Sequence, residues 1–136
     1  MKISVGVYMY GDRLDPEIVS AVVRAKASET RRRGDSRVLK DGSTVIAKTG
    51  LWARRVHRDD SEVELAIADL LEDFADERVD EIPSVERAIL DIFLIANDAE
   101  MLDEVQFVMP KLTIDHISRL GLQISVTIGK IGPQPG

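Results

Sequence analysis

Between residues 63 and 74 an apolar stripe recurs at helical spacing. It consists of side chains three or four positions apart in most steps, namely Val63, Ile67, Leu70, Leu71 and Phe74. Residues at this spacing share one side of a helix, so the stripe predicts a helix with one buried face. The helix is predicted to open at Asp59-Asp60-Ser61, because Ser61 and Glu64 form the pattern of a capping box.

Other segments have the two-residue period of half-buried strands. Residues 2–10 and 122–128 alternate apolar side chains with small or polar ones, and so does Val105–Met109. Residues 88–96 are a continuous apolar run that fits either a buried strand or a buried helix. We predict a strand there, because β-branched and aromatic residues dominate the run.

Capping and turn residues predict two further helices and a hairpin. Asp15 suits the N-cap of a helix that starts at Pro16. Thr113 is predicted to cap a last helix, which Gly121 ends. Asp41-Gly42 is typical of the tight turn between two antiparallel strands.

The predicted order of elements is therefore β-α-β-β-α-β-β-α-β. This order favours an α+β fold, with a mixed or antiparallel sheet and helices packed on one face. A chain of 136 residues has the length of one domain. We assign the domain to residues 1–130 and expect residues 131–136 to form a flexible tail.

Composition restricts the class of protein. The chain contains no cysteine, which excludes disulfides, thiolate metal sites and thiol nucleophiles. Charged residues follow the short apolar N-terminal run without a cleavage-site pattern, so we predict no signal peptide. No apolar run is long enough to span a bilayer. These features favour a cytoplasmic protein that does not enter a membrane.

The net charge of −6 conceals two strongly charged segments of opposite sign. Residues 24–58 carry eleven Lys and Arg against three Asp and Glu, a net charge of +8. Residues 59–115 carry three Lys and Arg against eighteen Asp and Glu, a net charge of −15. Such asymmetry bears on the choice of binding partner rather than on the fold.

The acidic segment suggests a surface that binds a basic protein. An oriented acidic surface speeds encounter with a cationic partner and can occupy its phosphate-binding site. The residues predicted to make this contact are Asp69, Glu72, Asp73 and Asp76. The alternative is a solvated helix face whose charge only keeps the protein soluble.

The basic segment suggests a second hypothesis, a nucleic-acid-binding or regulatory module. Its candidate residues are Arg31, Arg32, Arg33, Arg54, Arg55 and Arg58, with Trp52 as a base-stacking side chain. The acidic pI of about 4.9 argues against such a module. The alternative is that these arginines pair with the protein's own acidic helix and that Trp52 belongs to the core.

No catalytic pattern accompanies the two histidines, His57 and His116. The sequence lacks a nucleophile elbow, an HExxH motif and a phosphate-binding loop. The acidic run at residues 59–64 lacks the glycine and the final glutamate of a calcium loop. We therefore predict a protein that is not an enzyme and has no catalytic residues, no metal site and no cofactor.

The order of several short motifs resembles a bacterial family, the domain of unknown function four-two-seven-nine. The motifs are Gly11-Asp12, Leu14-Asp15-Pro16-Glu17, Arg33-Gly34-Asp35, Gly50 with Trp52, and Leu120-Gly121-Leu122. The likeness extends from about residue 3 to residue 129. It implies a small α+β fold, and it implies an immunity protein, since such small proteins accompany polymorphic bacterial toxins.

Taken together, the sequence predicts a non-enzymatic immunity protein that binds and neutralises a cognate toxin. The toxin is expected to be a basic protein, such as a nuclease of a contact-dependent growth inhibition system. The sequence leaves open whether the protein is a monomer or a homodimer.

Overall fold

The computed structural model describes residues 2–58, 62–96 and 107–130. The strands are Lys2–Gly11 (β1), Glu29–Arg31 (β2), Ser36–Val38 (β3), Thr44–Ile46 (β4), Gly50–Arg58 (β5), Arg87–Ala96 (β6) and Gln123–Lys130 (β7). The helices are Pro16–Val23 (α1), Val63–Leu71 (α2) and Lys111–Arg119 (α3), and Val79–Glu81 forms a 3-10 turn.

Five of the strands form one mixed sheet in the order β2-β5-β1-β6-β7. Its neighbouring strands are antiparallel, except for the parallel pair β6 and β7. Strands β3 and β4 form a separate hairpin. The predicted α+β class is therefore confirmed, and the sheet is of the mixed kind.

The core lies between the sheet and the three helices. Strand β1 contributes its four odd-numbered apolar side chains, which are Ile3, Val5, Val7 and Met9. The same cluster contains Val19 of α1, Leu70 of α2 and Ile117 of α3. All three helices therefore pack on the same side of the sheet.

The opposite side of the sheet is called the open face below. It carries the strand residues that alternate with the core residues, including Tyr8, Tyr10, Arg55, Arg87, Asp91 and Phe93. None of these six side chains belongs to the core cluster. The sheet thus separates a helix side from a side that the described helices leave uncovered.

Several local predictions are confirmed. The apolar stripe of α2 is buried throughout. The Asp15 carboxylate caps α1 by accepting a hydrogen bond from the Glu17 N–H at 3.1 Å. The ambiguous run at residues 88–96 is the strand β6, and Gly42 has the positive φ of 87° that the β3–β4 turn requires.

The order of elements differs from the prediction in two places. Four strands rather than two lie between α1 and α2, because short pairings make β2, β3 and β4 separate strands. Among the described residues, β6 is the one strand between α2 and α3. The predicted strand Val105–Met109 is not observed at residues 107–109, and its first two residues lie outside the described ranges.

Two predicted helix caps also differ from the structure. Helix α3 begins at Lys111 after an N-cap at Pro110, so Thr113 lies inside the helix rather than capping it. The N-cap of α2 is Glu62, whose side chain makes no capping hydrogen bond. Ser61, the predicted cap, and residues 131–136, the predicted tail, lie outside the described residues.

None of the helices among the described residues is both long and apolar enough to cross a membrane.

Candidate partner-binding surface

The acidic residues of α2 and of the turn that follows it divide between two flanks. Asp69 and Asp73 are four positions apart and share the flank that faces β5. Asp69 accepts a hydrogen bond from Arg58, and Asp73 accepts one from Arg54 at 3.5 Å. Two of the four predicted contact residues are therefore ion-paired with the protein's own basic strand.

Glu72 lies on the other flank of α2, toward α3. It lines a groove of about 370 Å³ between the two helices, together with Ala68, Leu71, Leu112 and His116. Among the described residues, Glu72 makes no hydrogen bond or ion pair. Its carboxylate is exposed and remains available to a partner.

Leu112 is the most exposed large apolar side chain of this region. It occupies the first turn of α3 and is 83% exposed, although it lines the same groove as Glu72. Burying such a side chain in a contact would contribute about 1.5–3 kcal/mol. The groove thus combines an apolar anchor with an unpaired carboxylate.

Asp76, the fourth predicted contact residue, lies beyond the end of α2. It lines a different shallow cavity of about 400 Å³ with Val22, Arg78 and Ile82. The predicted set therefore does not form one surface. Glu72 lies in the α2–α3 groove, Asp76 in the second cavity, and the remaining two carboxylates lie against β5.

The basic segment is largely neutralised within the molecule. Arg31 pairs with Glu29 at 3.0 Å, Arg32 with Asp15 at 2.8 Å and Arg33 with Asp12 at 3.7 Å. Exposed pairs of this kind contribute only about 0–1 kcal/mol each. They nevertheless place a carboxylate beside each arginine, which weakens attraction to phosphate.

Strand geometry further divides the predicted nucleic-acid site. Arg54 and Arg58 lie on the helix side of β5, whereas Arg55 lies on the open face. Trp52 is 0% exposed and makes an edge contact with Phe74 at a centroid distance of 5.9 Å. Trp52 is therefore a core residue and presents no surface on which a base could stack.

The basic segment lines one depression, of about 280 Å³, between β2 and the β3–β4 hairpin. Arg31 and Arg37 face it together with Glu29 and Asp35. The mixed charge of this lining does not favour an anion.

The two histidines lie on different surfaces. His57 is exposed on the open face of β5, and His116 lines the α2–α3 groove. Across residues 2–58, 62–96 and 107–130, no three acidic or histidine side chains are grouped so that they could hold a metal ion.

Glu29 is the centre of an ion-pair network on the open face. It accepts hydrogen bonds from Arg55 at 2.6 Å and from Arg31 at 3.0 Å. The hydrogen bond from Arg55 holds the pKa of Glu29 below its ordinary value of 4.5, against an opposing effect of burial. Arg55 also donates to the Tyr8 hydroxyl at 2.9 Å.

We expect Glu29→Gln to destabilise the protein at neutral pH but much less in acid. A lowered pKa in the folded state stabilises the protein above the unfolded pKa, and this stabilisation is lost as the pH falls through the folded pKa. The free energy of unfolding in urea, measured for both proteins at neutral pH and at about pH 3, gives the comparison. Glu17→Gln on α1 is the control, and a Glu29→Gln deficit that persists in acid would contradict the assignment.

Sequence reasoning missed Leu112 and the open face. The sequence does indicate that Leu112 is exposed. Thr113, Ile117 and Leu120 recur at helical spacing, and Leu112 falls outside this row. The open-face residues of β1 also follow from its alternation, but no local pattern shows that the described helices leave them uncovered.

The sequence matches no protein-family model, and no curated protein or solved structure is significantly similar to it. The resemblance to the domain of unknown function four-two-seven-nine therefore stays a prediction that rests on the short motifs themselves.

Proposed function

We propose that this chain is a non-enzymatic, cytosolic binding protein that neutralises a basic protein toxin by direct contact. The observation that carries the proposal is the α2–α3 groove, which is lined by the exposed Leu112 and by Glu72, a carboxylate without a partner among the described residues. An apolar anchor with a charged rim is the usual anatomy of a protein–protein interface. Glu64, which precedes Glu72 by eight positions on the same flank, extends the acidic rim.

The charge of the surroundings favours a cationic partner. Residues 62–81 carry nine carboxylates and one arginine. Ion pairs with β5 neutralise Asp69 and Asp73, whereas Glu72 in the groove makes no ion pair with a described residue, so the groove remains in a negative field. A nuclease toxin, whose own substrate is an anion, presents the complementary surface, and binding in this way would block its phosphate site.

We expect Leu112→Asp to weaken partner binding at least tenfold, which corresponds to ~1.4 kcal/mol. Glu72→Lys is expected to slow association and to reduce its dependence on salt, because a rim charge acts mainly on the encounter rate. The partner is first captured from a lysate of the source organism with the wild-type chain, identified and purified. Surface plasmon resonance then gives both rate constants for each variant.

Helix α1 offers matched controls, because Glu17 and Ile18 are an exposed carboxylate and a 51% exposed aliphatic side chain away from the groove. Ile18→Asp and Glu17→Lys are expected to leave partner binding unchanged. Groove variants that bind as tightly as the wild type would exclude the groove. A captured protein that does not arrest growth when expressed alone would exclude the role in immunity.

A further inference from the structure

The two sides of the sheet differ in the sign of their charge. On the open face, the strands carry four cations and two carboxylates, a net charge of +2; the residues are Lys2, Arg31, Arg55 and Arg87 against Glu29 and Asp91. The helix side carries the strongly acidic residues 62–81. An anionic polymer is therefore attracted to the open face and repelled by the helix side.

Glycines in the strands make room for aromatic rings that lean along the open face. A methyl group at Gly6 would lie 2.7 Å from Cε2 of Tyr8, and one at Gly129 would lie 3.0 Å from Cζ of Phe93. The Tyr10 ring is parallel to the Tyr8 ring within 10°, at a centroid distance of 6.5 Å. All three rings are half-buried, so each presents part of its surface to solvent.

Arg55 lies beside the Tyr8 ring and is fixed in place by its partners. Its guanidinium carbon is 5.2 Å from the centroid of the Tyr8 ring, and its Nε donates to the Tyr8 hydroxyl. The guanidinium plane and the ring together form a rigid surface of the kind on which nucleic-acid bases stack. This part of the face is preorganised, because Glu29 also holds Arg55 by a hydrogen bond of 2.6 Å.

Arg87 and Lys2 supply cations that no described residue neutralises. Both are exposed, and neither makes a hydrogen bond or ion pair within the part of the chain that the structure describes. Arg87 lies directly opposite Tyr10 in the register of β1 and β6. A phosphate bound by Arg87 would therefore place its nucleotide beside an aromatic ring.

We propose that the open face binds single-stranded nucleic acid, with bases stacked on Tyr10 and Phe93 and a phosphate held by Arg87. A sheet surface with aromatic side chains suits unpaired bases, because the bases of a duplex stack on one another and are closed to it. Asp91, opposite Gly6 in the register, interacts only with the Thr127 hydroxyl at 3.4 Å among the described groups. Its carboxylate can accept a hydrogen bond from the amino group of a base.

This binding is independent of the α2–α3 groove. Its contacts at Tyr10, Phe93 and Arg87 lie outside the arginine site that the sequence suggested, although the open face shares Arg31 and Arg55 with that site. The probe that tests it is a fluorescein-labelled deoxythymidine oligonucleotide of about 12 nucleotides, long enough for one binding site. Fluorescence anisotropy at several salt concentrations from about 50 mM upward gives the affinity and its salt dependence. The corresponding RNA and a duplex of the same length are measured beside it.

Phe93→Leu keeps the apolar bulk over Gly129 but removes the aromatic surface, so it is expected to weaken binding about 5- to 150-fold. Arg87→Gln is expected to weaken binding and to reduce the salt slope by about 0.7, as loss of one phosphate contact requires. Arg119→Gln on α3 makes the same chemical change on the helix side and is expected to leave binding unchanged. Unfolding in urea verifies that each variant is folded.

Three results would overturn the proposal: no binding of either single strand at low salt, equal binding of the duplex, or an equal loss in Arg87→Gln and Arg119→Gln. A protein partner whose binding depends on Phe93 while the oligonucleotide does not bind would assign the face to protein instead. Leu112→Asp leaves the open face intact and is expected to retain oligonucleotide binding. Failure at one surface is therefore distinguishable from failure at the other.

Discussion

Trp52→Ala is expected to destabilise the protein by about 3–5 kcal/mol, the usual cost of removing a large aromatic side chain from a core. Trp52 is fully buried between the sheet and the helices, and its ring contacts Phe74 edge to face. Its indole N–H donates to the Ser20 hydroxyl of α1 at 2.9 Å. The side chain thus links β5, α1 and the segment after α2, so its loss leaves a cavity where three parts of the fold meet.

Since small domains are stable by only about 5–15 kcal/mol, the variant is expected to lie close to its unfolding transition at room temperature. Circular dichroism in urea measures the effect, because Trp52 is the only tryptophan and its fluorescence disappears with it. Ser20→Ala is the matched variant, expected to cost about 0.5–1.5 kcal/mol through the hydrogen bond alone. A Trp52→Ala loss no greater than that of Ser20→Ala would contradict the packing role.

Gly11→Ala is expected to cost about 1–3 kcal/mol, although it adds a single methyl group. That methyl group would lie 1.9 Å from the backbone carbonyl oxygen of Ser84. The oxygen cannot move away freely, because the Glu86 N–H donates to the Tyr10 carbonyl at 2.8 Å and holds this loop against the end of β1. The substitution therefore forces two backbone segments apart.

Gly6→Ala is the matched control for Gly11→Ala, since it adds the same group to the same strand. There the nearest atoms belong to the Tyr8 side chain, so displacing one side chain relieves the clash and no two backbone segments are forced apart. We expect a smaller loss of unfolding free energy in urea for Gly6→Ala. Equal losses for the two variants would indicate that the backbone contact at Ser84 is not the cause.

Local sequence patterns correctly predicted the elements that are determined by residues close together in the chain. The stripe of α2 and the Asp15 cap of α1 are of this kind, because helix periodicity and capping involve residues a few positions apart. The prediction of β6 also succeeded, since β-branched side chains pack well on a pleated sheet. The α+β class followed from these elements together.

Local patterns could not predict contacts between residues that are far apart in the sequence. Strands β2, β3 and β4 are three residues each, and such short segments are defined by their hydrogen-bonded partners rather than by periodicity. The division of Asp69, Glu72, Asp73 and Asp76 likewise depends on which strand and helix flank α2. The charge of the two segments indicated attraction between them, but not which arginine meets which carboxylate.

Because β1 lies at the centre of the sheet, it cannot pair on both sides until later strands have been synthesised. Strand β1 is made before both of its neighbours, and its pairs with β6 join residues 77 to 93 positions apart, from Tyr10–Arg87 to Lys2–Ile95. Protein synthesis adds about 5–20 residues per second, so β6 is completed roughly 4–19 s after β1. Closing so long a loop is also slow, so β1 and β6 are expected to pair late in folding. During this interval the side chains of Ile3, Val5 and Val7, which form the core face of β1, are not yet covered by β6 and its neighbours, and such transiently exposed apolar surface favours aggregation.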